Sequence, residues 1–172
     1  MFFLSRTCFG LPTVLLALFL LLSGCGEQAA SAPESPLPPV ATLDYYGQPR
    51  AEALATLVAR EVAQGRTPVL YFYADWCGPC RRFRETLPDE LLKAALAQAT
   101  LIKVNVDEDA QGLAGRYGVQ AVPTFVKLNA RLEPVASISG DKWEEDVPEN
   151  IAPVMQQLVT SSAYDTPLPA KQ

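Results

Sequence analysis

Val69-Leu70-Tyr71-Phe72-Tyr73 runs without a polar face almost directly into Trp76-Cys77-Gly78-Pro79-Cys80. A short, non-alternating apolar run reads as a central strand covered on both sides. The Gly-Pro step that follows marks the start of a helix. At a helix start, Cys-x-x-Cys spacing leaves the first sulfur facing unpaired backbone N–H groups and the positive end of the macrodipole. The second sulfur lies one turn inward, close enough to close a disulfide. Pro79 suits this place because the first turn needs no N–H from it, and Gly78 leaves room for a partner's backbone. Lowering a thiol from about 8.5 to about 7 raises its thiolate fraction at pH 7 from a few per cent to about half, worth around 2 kcal/mol. Cys77 is therefore read as a nucleophile and Cys80 as its resolving thiol.

Composition removes the main competitors. The 172 residues contain no histidine, which excludes Cys-His and Ser-His pairs, Cys-x-x-Cys-His haem attachment and any histidine-containing metal site. Two thiols fall short of the about four ligands that zinc takes, and copper delivery is expected to need a histidine as well, so neither metal nor cofactor is implied. A purely structural disulfide is a poor alternative, because so short a loop removes little entropy from the unfolded chain. The net charge of -5 lacks the basic footprint of a nucleic-acid binder.

The start of the chain reads as an export signal. Residues 1 to 10 carry one charge, Arg6, and Leu11 to Leu22 is interrupted only by Pro12 and Thr13. Phe9 to Leu22 is 14 residues, fewer than the roughly 20 a spanning helix needs. Leu22-Ser23-Gly24-Cys25 then resembles the bacterial lipobox. Cleavage before Cys25 would leave it to carry a diacylglycerol and an N-linked acyl chain such as palmitate, and two chains already anchor stably. An ordinary secreted protein with a chance cysteine is the plainer alternative. With Gly26 next, the resemblance implies the periplasmic face of the outer membrane if the source is Gram-negative. Cys8 leaves with the signal, so Cys77 and Cys80 remain as the thiols of an exported protein, in a compartment where they stay reduced only with an electron supply. The mature chain has 13 basic and 19 acidic residues, a balance of -6.

The chain divides into a signal with lipobox (1–24), a lipidated cysteine and Pro-rich tether (25–40), a domain (41–159) and a loose tail (160–172). The tether has prolines 33, 36, 38 and 39, and at about 3.1 Å per residue it could hold the domain up to roughly 45 Å from a membrane. Within the domain, helical spacing covers Ala51 to Gln64 with Gly65 as a C-cap, then Arg81 to Ala97 with a break at Pro88, Gln111 to Tyr117, and Glu149 to Val159. Strands are expected at Val69–Tyr73, Leu101–Val106, Thr124–Leu128 and Val135–Ile138. Alternation followed by a hairpin and a last helix gives an α/β fold with a mixed central sheet and helices on both faces.

Tyr73-Ala74-Asp75-Trp76-Cys77-Gly78-Pro79-Cys80, Lys103-Val104-Asn105-Val106-Asp107 and Tyr117-Gly118-Val119-Gln120-Ala121-Val122-Pro123-Thr124 together resemble the thioredoxin superfamily, in order, over roughly residues 50 to 159. The resemblance implies the thioredoxin fold, with Pro123 as a cis-proline lying against the active site and Val122 offering backbone hydrogen bonds to an extended partner. The Tyr-Ala-Asp-Trp-Cys stretch is also similar to the C-terminal domain of the periplasmic disulfide reductase, which implies reduction of disulfides in exported proteins, fed by a membrane electron donor, by a monomer. A disulfide-forming oxidase and a tethered binding or holdase module stay open beside it. Thioredoxins usually carry a buried aspartate where this chain has Tyr71, and their Asn-Gly hairpin is here Asn129-Ala130. Tyr71 is expected to fill space, Lys103 to be a strand residue with an exposed tip, Trp76 to be partly packed while shielding the sulfur, and Arg81, Arg82 and Arg84 to form a solvated helix face, the sharper reading being that they favour the Cys77 thiolate and attract acidic partners.

Overall fold

The computed structural model describes residues 37–45 and 53–161. The signal, lipobox and Cys25, most of the tether, and the tail beyond 161 lie outside the described residues. Five strands, β1 (Ala41–Asp44), β2 (Thr67–Tyr73), β3 (Ala99–Asn105), β4 (Thr124–Leu128) and β5 (Pro134–Ser139), form one sheet in the order β1-β3-β2-β4-β5. β1, β3 and β2 are parallel; β4 runs antiparallel to β2, and β5 antiparallel to β4. This is the thioredoxin fold, with the mixed sheet and two-sided helical cover that the patterning implies.

β2 is central for the reason its sequence suggests: residues 68–72 are buried, and alternate side chains feed two cores. Tyr71 faces a core built with Phe83, Leu92, Phe125, Ile151 and Met155, under helices α2 (Gly78–Thr86), α3 (Glu90–Ala95) and α5 (Pro148–Thr160). Leu70 and Phe72 face the other, against α1 (Leu54–Ala63) and the short α4 (Leu113–Arg116). Gly65 follows α1 with φ +74°, a left-handed conformation that glycine adopts without steric cost and that ends the helix.

The break expected at Pro88 is present. The region 81–97 is two helices. α2 stops at Thr86, and α3 restarts with Asp89 as its N-cap, its carboxylate accepting from Leu91 N at 2.8 Å. α2 begins at Gly78, where the Gly-Pro step puts the helix start, three residues before the apolar periodicity shows. β1 escapes the sequence reading altogether: its four residues alternate half-buried and exposed, too few to distinguish from the proline-rich stretch before them.

Candidate active site

Parallel strand β2 delivers the chain to the N-terminus of α2, and Cys77 caps that helix in an extended conformation (φ -75°, ψ 109°). Cys77 and Cys80 are joined by a disulfide, with Cα atoms 5.3 Å apart. The Cys80 backbone N–H donates to Cys77 Sγ at 3.1 Å, so one of the helix's first unpaired donors is aimed at this sulfur. A thiolate at Cys77 would receive the same donor, strengthened by charge. Cys77 and Cys80 are both buried; Cys77, capping the helix between exposed Trp76 and the Val122 carbonyl, is the one at the rim of the site.

A second segment closes the site. The Val122-Pro123 peptide is cis, as the resemblance implied, and the Val122 carbonyl oxygen lies 3.6 Å from Cys77 Sγ. Ala74, Cys77 and Cys80 form one small apolar cluster with Tyr73, Val106 and Val122 packed against it. Pro123 is backed by Gly140, whose N–H donates to the Pro123 carbonyl at 2.9 Å. A Cβ on Gly140 would stand 2.9 Å from Pro123 Cγ, so a side chain there must push the proline. Only a glycine after a strand hinted at this in the sequence. Gly78 is under no such constraint, since a Cβ there meets only the end of Arg82 at 3.4 Å.

Four expectations about individual residues are corrected or refined. Trp76 is 71% exposed rather than packed; its indole N–H donates to Asp107 at 2.9 Å, which fixes the ring at the rim of the site. Lys103 is not a lone strand residue: its ammonium pairs with Asp44 of β1 at 2.6 Å, a partner supplied by the strand that the patterning missed. Arg81 is exposed and Arg82 reaches Asp146 at 2.7 Å, but Arg84 turns inward, half-buried, with its guanidinium carbon 5.2 Å from the centre of the Tyr73 ring. Tyr71 does fill space, stacked on Phe125 at 4.9 Å and edge-on to Phe83 at 5.1 Å. In addition its hydroxyl donates to the Cys80 carbonyl at 3.1 Å. Burial pushes the Tyr71 phenol up to about 12, with Arg84 pulling the other way. It is therefore a neutral hydrogen-bond donor, and no base, over the whole range in which thiols titrate.

Trp143 is a further supporting residue that the sequence did not reveal. It enters the core beneath α2, 6.4 Å from Phe83 and 6.1 Å from Phe125, and donates from its indole to Asp146 at 2.7 Å. Asp146 thus ties the segment after β5 to Arg82 on α2. Among the described residues no group of three or more Cys, Asp or Glu is placed to hold a metal ion.

Residues 53–158 match the family model described as thioredoxin. The chain is 33% identical over 98 residues to a thioredoxin of Alicyclobacillus acidocaldarius subsp. acidocaldarius, covering 56% of this chain and 90% of that protein. It is 38% identical over 84 residues to Thioredoxin-1 of Drosophila melanogaster, covering 48% and 77%. Among solved structures, the thioredoxin NaTrxh of Nicotiana alata superposes with a TM-score of 0.51 at 21% identity, covering 71% of this chain and 96% of that one. A disulphide isomerase of Xylella fastidiosa Temecula1 gives 0.51 at 20% identity, covering 64% and 93%. At those identities the two structures speak to the fold alone.

Proposed function

This chain belongs to the thioredoxin family and is a thiol-disulfide oxidoreductase with Cys77 and Cys80 as its redox pair; from that premise we propose that it is an exported, lipid-anchored reductase of disulfides in other exported proteins. The observation that carries the exchange chemistry is the placement of the pair; the reductive direction rests on Gly-Pro between the cysteines and on the likeness of the Tyr-Ala-Asp-Trp-Cys stretch to the periplasmic disulfide reductase. Cys77 is the sulfur at the rim, held at a helix N-terminus beside the Val122 carbonyl, and Cys80 lies behind it. In the reduced protein the Cys77 thiolate attacks one sulfur of a partner disulfide, forms a mixed disulfide and expels the other sulfur as a thiolate, which takes a proton. Cys80, as thiolate, then attacks Cys77 Sγ, forming the Cys77–Cys80 disulfide and releasing the second partner thiol. Two electrons pass to the partner, and a membrane donor of dithiol type returns them.

Trp76 at the rim, Gly78 and Pro79 in the first turn, and cis Pro123 support the pair, and the Val122 backbone supplies hydrogen bonds to an extended partner strand. Export and anchoring rest on the apolar leader and on Leu22-Ser23-Gly24-Cys25. The purified full chain should reduce insulin when dithiothreitol is supplied, and Cys77→Ser should abolish this; retained activity in that variant sinks the assignment of the nucleophile. Labelled fatty acid should attach in cells to the wild type and not to Cys25→Ala, and identical fractionation of the two would refute the anchor. A reduction potential well above about -270 mV would turn the reading toward a disulfide-forming oxidase.

A further inference from the structure

Arg84 lies four residues beyond Cys80 on α2, a spacing that puts the two side chains on one helix face with Cβ atoms about 5–6 Å apart. Its guanidinium covers the Tyr73 ring at 5.2 Å, and Tyr73 packs against the Ala74–Cys77–Cys80 cluster. Its charge also acts on Tyr71, whose hydroxyl holds the Cys80 carbonyl. Among the described residues, Arg84 Nη1 is the buried side-chain nitrogen that has no hydrogen-bond partner. Leaving a buried donor unpaired is costly, and an aliphatic side chain would fill the same position without that cost. Arg82, two residues earlier, meets a carboxylate; among the described residues Arg84 meets none. The other charged groups turned toward Tyr73 are Asp75 and the Lys103–Asp44 pair. Arginine is never deprotonated in proteins, so Arg84 is a fixed positive charge and not a proton acceptor.

We propose that Arg84 is a positioning residue for disulfide exchange: its guanidinium, lodged against Tyr73 and Tyr71, stabilises the thiolate formed in the Cys77–Cys80 pair on reduction, so that Cys80 resolves the mixed disulfide without a carboxylate beneath it. The inference needs only the redox pair, and is independent of export and anchoring. In equilibrium with glutathione, two glutathione thiols supply two electrons and two protons. The Cys77–Cys80 bond breaks, one glutathione disulfide forms, and the protein dithiol then ionises according to pH. A fixed cation favours the reduced protein only where a thiolate is present.

The test is the glutathione equilibrium constant of the full chain at pH 6 and at pH 9, for wild type, Arg84→Met and Arg84→Lys. Arg84→Met should make the disulfide about five- to tenfold harder to reduce at pH 9, the order expected for one charge acting on a partly buried thiolate, and change it less than about twofold at pH 6. A tenfold change corresponds to about 30 mV. Arg84→Lys keeps the charge and should stay within about twofold of wild type at both. The proposal is overturned if Arg84→Met matches wild type at pH 9, if its shift is the same at both pH values, or if Arg84→Lys shifts as far as Arg84→Met. Should Arg84→Met not fold, Arg84→Gln removes the charge while keeping a polar stem and gives the same discriminating outcomes.

Discussion

Glu61 and Arg84 are charged side chains withdrawn from water on opposite faces of the same sheet, and they are treated differently. Glu61, on α1, is 1% exposed. Its carboxylate accepts from Thr100 Oγ1 at 2.7 Å, from Arg66 Nε at 2.9 Å and from Arg60 Nε at 3.2 Å, and it is paired with Arg66 Nη2 as well. Burial works against its charge, but the hydrogen bonds from Thr100, Arg66 and Arg60 outweigh it and hold the carboxyl below its ordinary value. The cluster joins α1, the turn before β2, and β3. Arg84, near the far end of β2, lies against aromatic faces with one nitrogen unfilled. The Glu61 charge is balanced by Arg66 and Arg60 and acts as a structural tie, whereas among the described residues Arg84 has no carboxylate partner to balance it.

The comparison can be broken most directly at its structural half. Glu61→Gln removes the charge that three residues converge on, and should cost about 2–3 kcal/mol in denaturant unfolding while leaving the glutathione equilibrium unchanged. A shift in that equilibrium would erase the distinction between the two sites.

Acid separates them next. Because the Glu61 carboxyl is lowered in the folded chain, its contribution is complete above about pH 4.5, its ordinary value, and is lost as pH falls through the lower folded value. Below pH 4.5, wild type should therefore lose stability more steeply than Glu61→Gln; parallel curves would mean the cluster holds no proton-linked energy.

At the other site, Tyr71→Phe deletes one buried hydrogen bond to the Cys80 carbonyl, which should cost about 1 kcal/mol and leave turnover within a few-fold. With the phenol pushed up to about 12, no inflection of activity between pH 6 and about 9 should disappear with it. A hundredfold loss of turnover at unchanged stability, about 2.7 kcal/mol of barrier, would instead make the hydroxyl part of the chemistry.

The smallest effect is expected at Arg82, which is about half exposed in its pair with Asp146. Arg82→Ala should change stability by less than about 1 kcal/mol, an amount that shrinks with added salt. That result would confine the special behaviour of this basic run to Arg84.

The sequence by itself determined the features that chain connectivity makes local. A buried strand that ends at a Cys-Gly-Pro-Cys helix start must put one sulfur at the N-terminus and the other a turn inward, whatever surrounds them. The alternation of elements from β2 to α5 followed from short apolar runs for the strands and a period of about 3.6 residues for the helices, which survive in any packing. Tertiary structure decided what meets the pair. Arg81, Arg82 and Arg84 are alike as letters, and only the packing of α2 on β2 turns the third toward Tyr73. Lys103 found Asp44 because sheet register places them side by side, although 58 residues of chain separate them. Gly140 matters because β5 pairs with β4 and brings it against Pro123, and Trp143 because the segment after β5 folds back under α2. Each of these contacts joins residues distant in sequence, so its geometry depends on register and on the facing surface, neither of which a local pattern encodes.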